Sequence, residues 1–254
     1  MVKKIASIGR GGVGKTCFIA GLARVLADHG PLLLIDADPD QNLAEAVGID
    51  MGGEGLKSIS SLLFDVKAGR LDPRIEKAPL AQKVDYLLSR QGLYEGDRFD
   101  FFSLGTKWTE GCYCQPNNIL KGLIGRLEAG YRYVLVDSPA GLEHLNRRIT
   151  VSLDDIFAII DASKKAMDNA LRAKRIAEEI RISFGRFFLV AGHGRPGGCP
   201  AAPAGDSGFE CAGALAVDPA VARLCMEGGS LFTLPESSPF LESVRAVARA
   251  AGYL

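Results

Sequence analysis

Gly9-Arg10-Gly11-Gly12-Val13-Gly14-Lys15-Thr16 is the stretch of sequence that decides the fold of this chain. An apolar run from Val2 to Ile8 precedes it and predicts a short buried strand, and the pattern from Thr16 to Asp28 predicts a helix. Glycines between a strand and a helix let successive backbone N–H groups point at one anion, and the helix dipole adds to their attraction. The spacing G-x-x-x-x-G-K-[ST] in this context predicts a phosphate-binding loop.

The residues of this loop have distinct expected tasks. We expect Lys15 to reach the β- and γ-phosphates of a nucleotide and the Thr16 hydroxyl to bind Mg²⁺. The remaining nucleotide-binding positions are Gly9, Gly11, Gly12, Val13, Gly14 and Cys17. The side chain of Cys17, like that of Cys225, is expected to be a small core residue.

Two later apolar runs end in acidic residues. The run from Leu32 to Asp36 continues into Ala37-Asp38-Pro39-Asp40, and the run from Tyr131 to Val136 ends in Asp137. Such runs are typical of strands buried on both faces of a parallel sheet, and ligands of these sheets gather at the carboxyl ends of the strands. We therefore expect Asp36, Asp38 and Asp137 to face the phosphates and Mg²⁺.

Strands and helices alternate along the rest of the chain. This alternation predicts an α/β fold, with a doubly wound, mostly parallel sheet flanked by helices, as in a P-loop NTPase. One domain over residues 1–254 is expected, with a helical insertion at 50–98 over one edge of the sheet and a long loop at 193–211. Further strands are predicted at Phe99–Leu104, Ile156–Ile160, Phe187–Ala191 and Ala214–Val217, and further helices at Ala166–Ile182 and Pro239–Ala251.

Composition narrows the classes of partner. The 30 basic residues balance 30 acidic ones, so no field of the whole chain favours a nucleic-acid partner. No run approaches the roughly 20 apolar residues that span a membrane, and no apolar signal core follows Lys3 and Lys4. We expect a cytoplasmic protein with neither a nucleic-acid nor a membrane partner.

The second informative stretch is Gly111-Cys112-Tyr113-Cys114-Gln115. Thiols at Cys112 and Cys114 can bind one soft ion such as Ni²⁺ or Zn²⁺, but two ligands make half of a four-ligand site. The other ligands come either from Cys199 and Cys211 or from the same motif of a second copy across a two-fold axis, which we favour. Two ordinary reduced cysteines near a helix start are the alternative.

Together, the loop, the segment Asp36 to Asp40 and the Cys112-Tyr113-Cys114 element resemble the deviant-Walker ATPases of septum positioning, plasmid partitioning and the nitrogenase iron proteins. Within that class the chain looks most like the CooC-type ATPases that mature nickel-containing carbon monoxide dehydrogenase. The resemblance implies a homodimer that binds ATP or ADP with Mg²⁺. It further implies one Ni²⁺ or Zn²⁺ per dimer at Cys112 and Cys114, and carbon monoxide dehydrogenase as the client.

The resemblance also assigns roles to single residues. It implies that Asp38 orients the attacking water, that Asp137 supports the metal ion, and that Lys15 contacts phosphate. Arg10 stands where the family has its signature lysine, which reaches the phosphates of the partner subunit, so a catalytic role is expected for Arg10. Gly192-His193 replaces the Asn-Lys pair with which relatives contact adenine, so ATP is implied by the family alone.

Three other functions remain open on the sequence. The first is an electron-transfer protein like the nitrogenase iron protein, in which the same cysteines would bind an iron–sulfur cluster between two subunits. The second is a non-hydrolysing nucleotide switch with structural zinc. A partitioning or septum ATPase comes last, because the sequence has neither a strong basic patch nor a clear membrane helix.

Overall fold

The structure is a computed structural model that describes residues 2–105, 122, 124–139, 152–179, 181–192 and 208–254. In these ranges the chain forms one eight-stranded sheet with the strand order β3-β4-β2-β5-β1-β6-β7-β8. All neighbouring strands are parallel except the edge strand β3, which is antiparallel to β4. The strands are β1 (Lys3–Ile8), β2 (Leu32–Asp36), β3 (Tyr94–Glu95), β4 (Asp100–Ser103), β5 (Tyr133–Asp137), β6 (Ser152–Ile160), β7 (Ser183–Ala191) and β8 (Phe209–Ala214).

Helices cover both faces of the sheet. On one face α1, α2 and α7 pack in a single apolar cluster, and on the other face α3, α4 and α5 form a second cluster. Strands β2 and β5 are buried along their whole length, as expected of central strands of a doubly wound sheet. The helices are α1 (Lys15–Leu26), α2 (Leu43–Val47), α3 (Ile59–Lys67), α4 (Leu80–Leu87), α5 (Lys164–Glu179), α6 (Pro219–Glu227) and α7 (Pro239–Ala250). The predicted α/β class is confirmed.

Helix α7 shows how the sequence pattern becomes packing. Its apolar stripe is fully buried, and Ser238 caps its first turn by accepting a hydrogen bond from the backbone N–H of Leu241. The ring of Phe240 lies so close to Gly21 of α1 that a Cβ there would come within 2.8 Å of it. This close approach fixes the position of α1, and so of the loop before it.

Some predicted boundaries were wrong. The last strand is Phe209–Ala214 and not Ala214–Val217, so the final residues of the predicted long loop, Phe209 to Cys211, belong to β8. The strand was hard to recognise because it lies at a sheet edge, its burial does not alternate, and its pairing with β7 contains an irregularity. The predicted insertion at 50–98 holds α3, α4 and β3, which complete the second cluster and the opposite edge.

Strand β6 begins four residues before its predicted start and so brings a charged side chain into the core. Asp155 is almost fully buried, and its carboxylate accepts hydrogen bonds from Arg186 Nε at 2.7 Å and from the Tyr253 hydroxyl at 2.5 Å. The Arg186 guanidinium also donates to the backbone carbonyl of Ala251. These bonds attach the C-terminal residues to the sheet.

Candidate nucleotide site

The loop predicted to bind phosphate connects β1 to α1. Gly14 precedes the helix with a φ of 96°, a left-handed conformation that L side chains rarely adopt. Lys15 is buried, and its Nζ donates a hydrogen bond to the carbonyl oxygen of Arg10 at 3.2 Å. The ammonium group therefore lies across the inside of the loop, where a bound phosphate group would meet it.

The first glycine of the loop is constrained by its neighbour in the sheet. A Cβ on Gly9 would lie 2.4 Å from the carbonyl oxygen of Ile159, and its φ is 150°. At Gly11, two residues later, a Cβ would meet nothing within 4 Å. A side chain at Gly9 would therefore require a backbone shift, whereas a side chain at Gly11 would not, although both residues belong to the same motif.

We expect Gly9→Ala to lower the free energy of unfolding by about 1–3 kcal/mol, because the backbone of β6 must shift to admit the methyl group. Gly11→Ala is the matched control, and its cost should stay within about 0.5 kcal/mol. Urea unfolding of the two variants measures both values. Equal losses would contradict the assignment of the steric constraint to Gly9.

Asp137 joins the loop to the centre of the sheet. Its carboxylate accepts hydrogen bonds from Thr16 Oγ1 at 2.6 Å and from Ser7 Oγ at 3.1 Å, and it is fully buried. Burial raises the pKa of Asp137 to about 6, although the hydrogen bonds from Thr16 and Ser7 and the charge of Lys15 act to lower it. A carboxylate beside a threonine hydroxyl is the oxygen donor set that suits Mg²⁺ held partly through water.

The turn after β2 buries Asp36 but places Asp38 at the cavity. Asp36 is fully buried, and its carboxylate oxygens accept hydrogen bonds from the backbone N–H groups of Asp38 at 3.1 Å and Leu43 at 3.0 Å. Asp38 lines the cavity beside the loop. Asp36 therefore shapes the turn on which Asp38 is carried, and we expect its effect on a bound nucleotide to be indirect.

The nucleotide-free protein should become less stable as pH rises. Burial, together with the nearby Asp137 carboxylate, raises the pKa of Asp36 to about 8. The unfolded chain releases that proton near pH 4, so from about pH 5 to 8 the folded state holds a proton that the unfolded state lacks, and stability falls.

We expect Asp36→Asn to flatten the dependence of melting temperature on pH over this range, because the amide has no proton to lose. Asp97→Asn, at an exposed position, should keep the wild-type slope. Scanning calorimetry at several pH values measures both. A slope that Asp36→Asn leaves unchanged would contradict the raised pKa of Asp36.

A cavity of about 670 Å³ opens beside the loop. This volume falls in the range of small-molecule sites. It is lined by the loop, the first turn of α1, the turn after β2 with the start of α2, and α6 with the residues that flank it. The sequence-predicted residues that line it are Gly11, Gly12, Gly14, Lys15, Thr16, Cys17 and Asp38.

Arg10 lies away from this cavity. Its side chain is about half exposed, at 47%, and its guanidinium lies 3.7 Å from the Asp161 carboxylate. The side chain is thus accessible to a second molecule, and its expected role across a dimer stays a prediction.

Several cavity residues were not predicted from the sequence. They come from α2 and from the start and end of α6, and they are Asn42, Glu45, Asp218, Val221 and Cys225. Asp218 could have been found, since Asp before Pro219 marks a helix start, and the Asp218 carboxylate indeed accepts a hydrogen bond from the backbone N–H of Ala220. The others become neighbours of the loop only through the tertiary fold.

The predicted metal ligands Cys112 and Cys114 lie outside the described residues, as do Cys199 and His193. In the parts of the chain that the structure describes, no group of three or more His, Cys, Asp or Glu side chains could hold a metal ion. A thiolate site at Cys112 and Cys114 therefore stays a prediction. None of the described helices is both long enough and apolar enough to cross a membrane.

Comparison with known proteins places this geometry in a family. The sequence model of the AAA_31 family, described as an AAA domain, matches residues 2–182. The chain belongs to the AAA_31 family. This AAA_31 protein is 34% identical over 249 residues to an uncharacterized ATP-binding protein of Methanocaldococcus jannaschii, with 96% of each chain covered. It is 29% identical over 193 residues to the carbon monoxide dehydrogenase accessory protein CooC of Rhodospirillum rubrum, with 70% of each chain covered.

Solved structures agree on the fold of the AAA_31 protein. The septum site-determining protein MinD of Pyrococcus horikoshii, in complex with Mg-ADP, matches with a TM-score of 0.68 at 19% identity, covering 99% of this chain and 96% of that one. A ParA family ATPase of Chlorobium tepidum matches with a TM-score of 0.64 at 16% identity, covering 100% and 99%. The protein therefore shares the fold of these MinD and ParA structures.

Proposed function

We propose that this AAA_31 ATPase is a dimeric, ATP-dependent nickel chaperone that helps to assemble the nickel–iron–sulfur centre of a carbon monoxide dehydrogenase. The observation that carries the proposal is the similarity to the CooC accessory protein over 70% of both chains, in a sequence that also contains Cys112-Tyr113-Cys114. Neither the loop nor the fold alone would separate this function from that of other MinD/ParA-type ATPases.

The described residues support the nucleotide chemistry of this proposal. The donor set of Thr16 and Asp137 fits Mg²⁺, which neutralises phosphate charge when bound. Lys15 leaves the Arg10 carbonyl to contact the phosphates, and Asp38, at the cavity wall, orients the attacking water.

ATP hydrolysis would drive the binding and release of nickel. Contacts to the γ-phosphate exist only in the ATP state, so two subunits that both contact it close with ATP and relax with ADP. Nickel held between the Cys112 and Cys114 pairs of both subunits is then bound in one state and passed to the dehydrogenase in the other. The exposed Arg10 is suited to contact the phosphates of the partner subunit.

Metal analysis of anaerobically purified protein tests the proposal, combined with light scattering in ADP, in ATP and in nickel. We expect about one nickel ion per two chains in a dimer, and loss of the metal in the double variant Cys112→Ala/Cys114→Ala. Cys225→Ala, which alters a cysteine outside that motif, is the control and should keep the nickel. Iron with sulfide would instead support the electron-transfer function, and a metal-free monomer under every condition would overturn the chaperone.

A further inference from the structure

Two cysteines far apart in the sequence meet at the wall of the nucleotide cavity. The Sγ atoms of Cys17 and Cys225 lie 3.6 Å apart, and both cysteines are free thiols. The prediction that Cys225 is a core residue was wrong, because it lies on an exposed position of α6, whereas Cys17 is half-buried. Both line the cavity beside the loop.

We propose that Cys17 and Cys225 form an oxidation site, at which a reversible disulfide ties α6 to the first turn of α1 and weakens nucleotide binding. The proposal goes beyond the nickel chaperone and rests only on this cavity being the nucleotide site. The oxidant is a low-molecular-weight disulfide, and glutathione disulfide is the probe that represents it.

The position of Cys17 makes such a bond consequential. Cys17 follows Thr16 directly and lies two residues after Lys15, in the turn whose backbone is expected to hold phosphate. A bond to this residue acts on the two side chains that bind phosphate and Mg²⁺. Cys225 lies on α6, a separate helix that also lines the cavity.

Helix α6 can make the movement that a disulfide requires. A disulfide has an S–S length near 2.05 Å, so the two sulfur atoms must approach by about 1.5 Å from their present separation. Of the nine residues of α6, all of which the structure describes, Val221 alone is buried. The helix then ends at Gly228, which has a φ of 69°. A helix with so few buried side chains shifts at low cost.

The two thiols differ in their exposure to solvent, so they are expected to react one after the other. Cys225 is exposed, so its thiolate can attack one sulfur of glutathione disulfide, which forms a mixed disulfide and releases one glutathione thiolate. Cys17 is half-buried, so it is less accessible to glutathione disulfide than Cys225 and reacts in the second step. Its sulfur then attacks Cys225 Sγ, loses its proton to solvent and releases the second glutathione. Two protein thiols and one glutathione disulfide thus give one protein disulfide and two glutathione molecules.

A soft metal ion is the other possible occupant of a thiol pair. Two sulfur ligands make half of a tetrahedral site, and no third His, Cys, Asp or Glu among the described residues completes a metal-binding group with them. The lack of further ligands among the described residues and the exposure of Cys225 favour oxidation over metal binding.

Oxidation is expected to lower nucleotide affinity because α6 moves toward the phosphate end of the cavity. A displacement of about 1 Å in a positioned site can lower the rate of a reaction by about two orders of magnitude, and we expect a smaller loss of binding. We expect the affinity for fluorescent ADP to fall by about tenfold or more in the oxidised protein. Bound nucleotide should in turn slow disulfide formation, because it occupies the cavity that both cysteines line and so keeps α6 from moving.

The test treats the full-length protein with glutathione redox buffers of graded ratio. Peptide mass spectrometry without reduction reports the Cys17–Cys225 cross-link, and fluorescence titration with ADP reports affinity before and after dithiothreitol. Cys225→Ser is the main variant because its position is exposed and tolerates change. Cys17→Ala is the second variant, since loss of a sulfur at either position should abolish the effect.

The expected result is a cross-link that forms reversibly, weakens ADP binding about tenfold and is absent in both variants. The proposal is overturned if no Cys17–Cys225 peptide forms, if it forms without a change in ADP affinity, or if stoichiometric zinc protects the pair. The cross-link is detected by peptide mass, and nickel binding at Cys112 and Cys114 is measured by metal analysis. One proposal can therefore fail while the other is supported.

Discussion

Lys15→Ala is expected to lower ATP hydrolysis by about 100- to 1,000-fold, the loss typical of removing one charged or hydrogen-bonding group that stabilises a transition state. The ammonium of Lys15 lies inside the loop, 3.2 Å from the carbonyl oxygen of Arg10, and is buried. Among the described residues that line the cavity, Lys15 is the only lysine or arginine. A phosphate-release assay at saturating ATP measures the effect.

The matched control is Lys77→Ala, which removes an exposed lysine from the segment between α3 and α4. Its hydrolysis rate should equal that of the wild type, and circular dichroism should show that both variants are folded. Hydrolysis within about threefold of wild type in Lys15→Ala would contradict the assignment of the loop as the catalytic phosphate site.

Asp38→Asn should lower hydrolysis by about 100-fold while nucleotide affinity stays within about threefold of wild type. Asp38 lines the cavity and is held by the turn that Asp36 organises, so the amide keeps the shape but loses the charge that orients and polarises water. Hydrolysis and fluorescent-nucleotide binding are measured on the same preparation.

Asp97→Asn makes the same chemical change on an exposed loop and serves as the control for Asp38. It should leave both hydrolysis and binding unchanged. Equal losses of hydrolysis and of nucleotide affinity in Asp38→Asn would show that Asp38 supports binding and not the reaction step.

The parts of the site that lie in one short segment could be predicted from the sequence. The spacing of Gly9 to Thr16 after a strand and at the start of a helix is a local signal, and the structure places Gly9 to Gly14 between β1 and α1 and the last two residues in the first turn of α1. The same holds for the acidic strand ends, because parallel strands bring their carboxyl ends to one edge. Asp36 shows the limit, since position at a strand end does not fix the direction in which a carboxylate points.

Features that depend on distant segments could not be predicted. Asp155 gains Arg186 and Tyr253 as partners only after β6, β7 and the C-terminus have packed, and its position in an apolar strand gives no sign of this. Cys17 and Cys225 are 208 residues apart, and only the placement of α6 over the cavity joins them. An edge strand such as β8 is ambiguous because its exposed face carries the polar and small residues of a loop.

Nickel binding as a function of nucleotide state tests the central claim most directly. Equilibrium dialysis of the anaerobic protein against nickel would be run with Mg-ATP, with Mg-ADP and without nucleotide, in wild type and in Cys112→Ala/Cys114→Ala. The account predicts about one nickel ion per two chains, with an affinity that differs at least tenfold between the ATP and ADP states and is lost in the double variant. Nickel binding that is the same in all three nucleotide states, or that survives in the double variant, would contradict an ATP-driven chaperone.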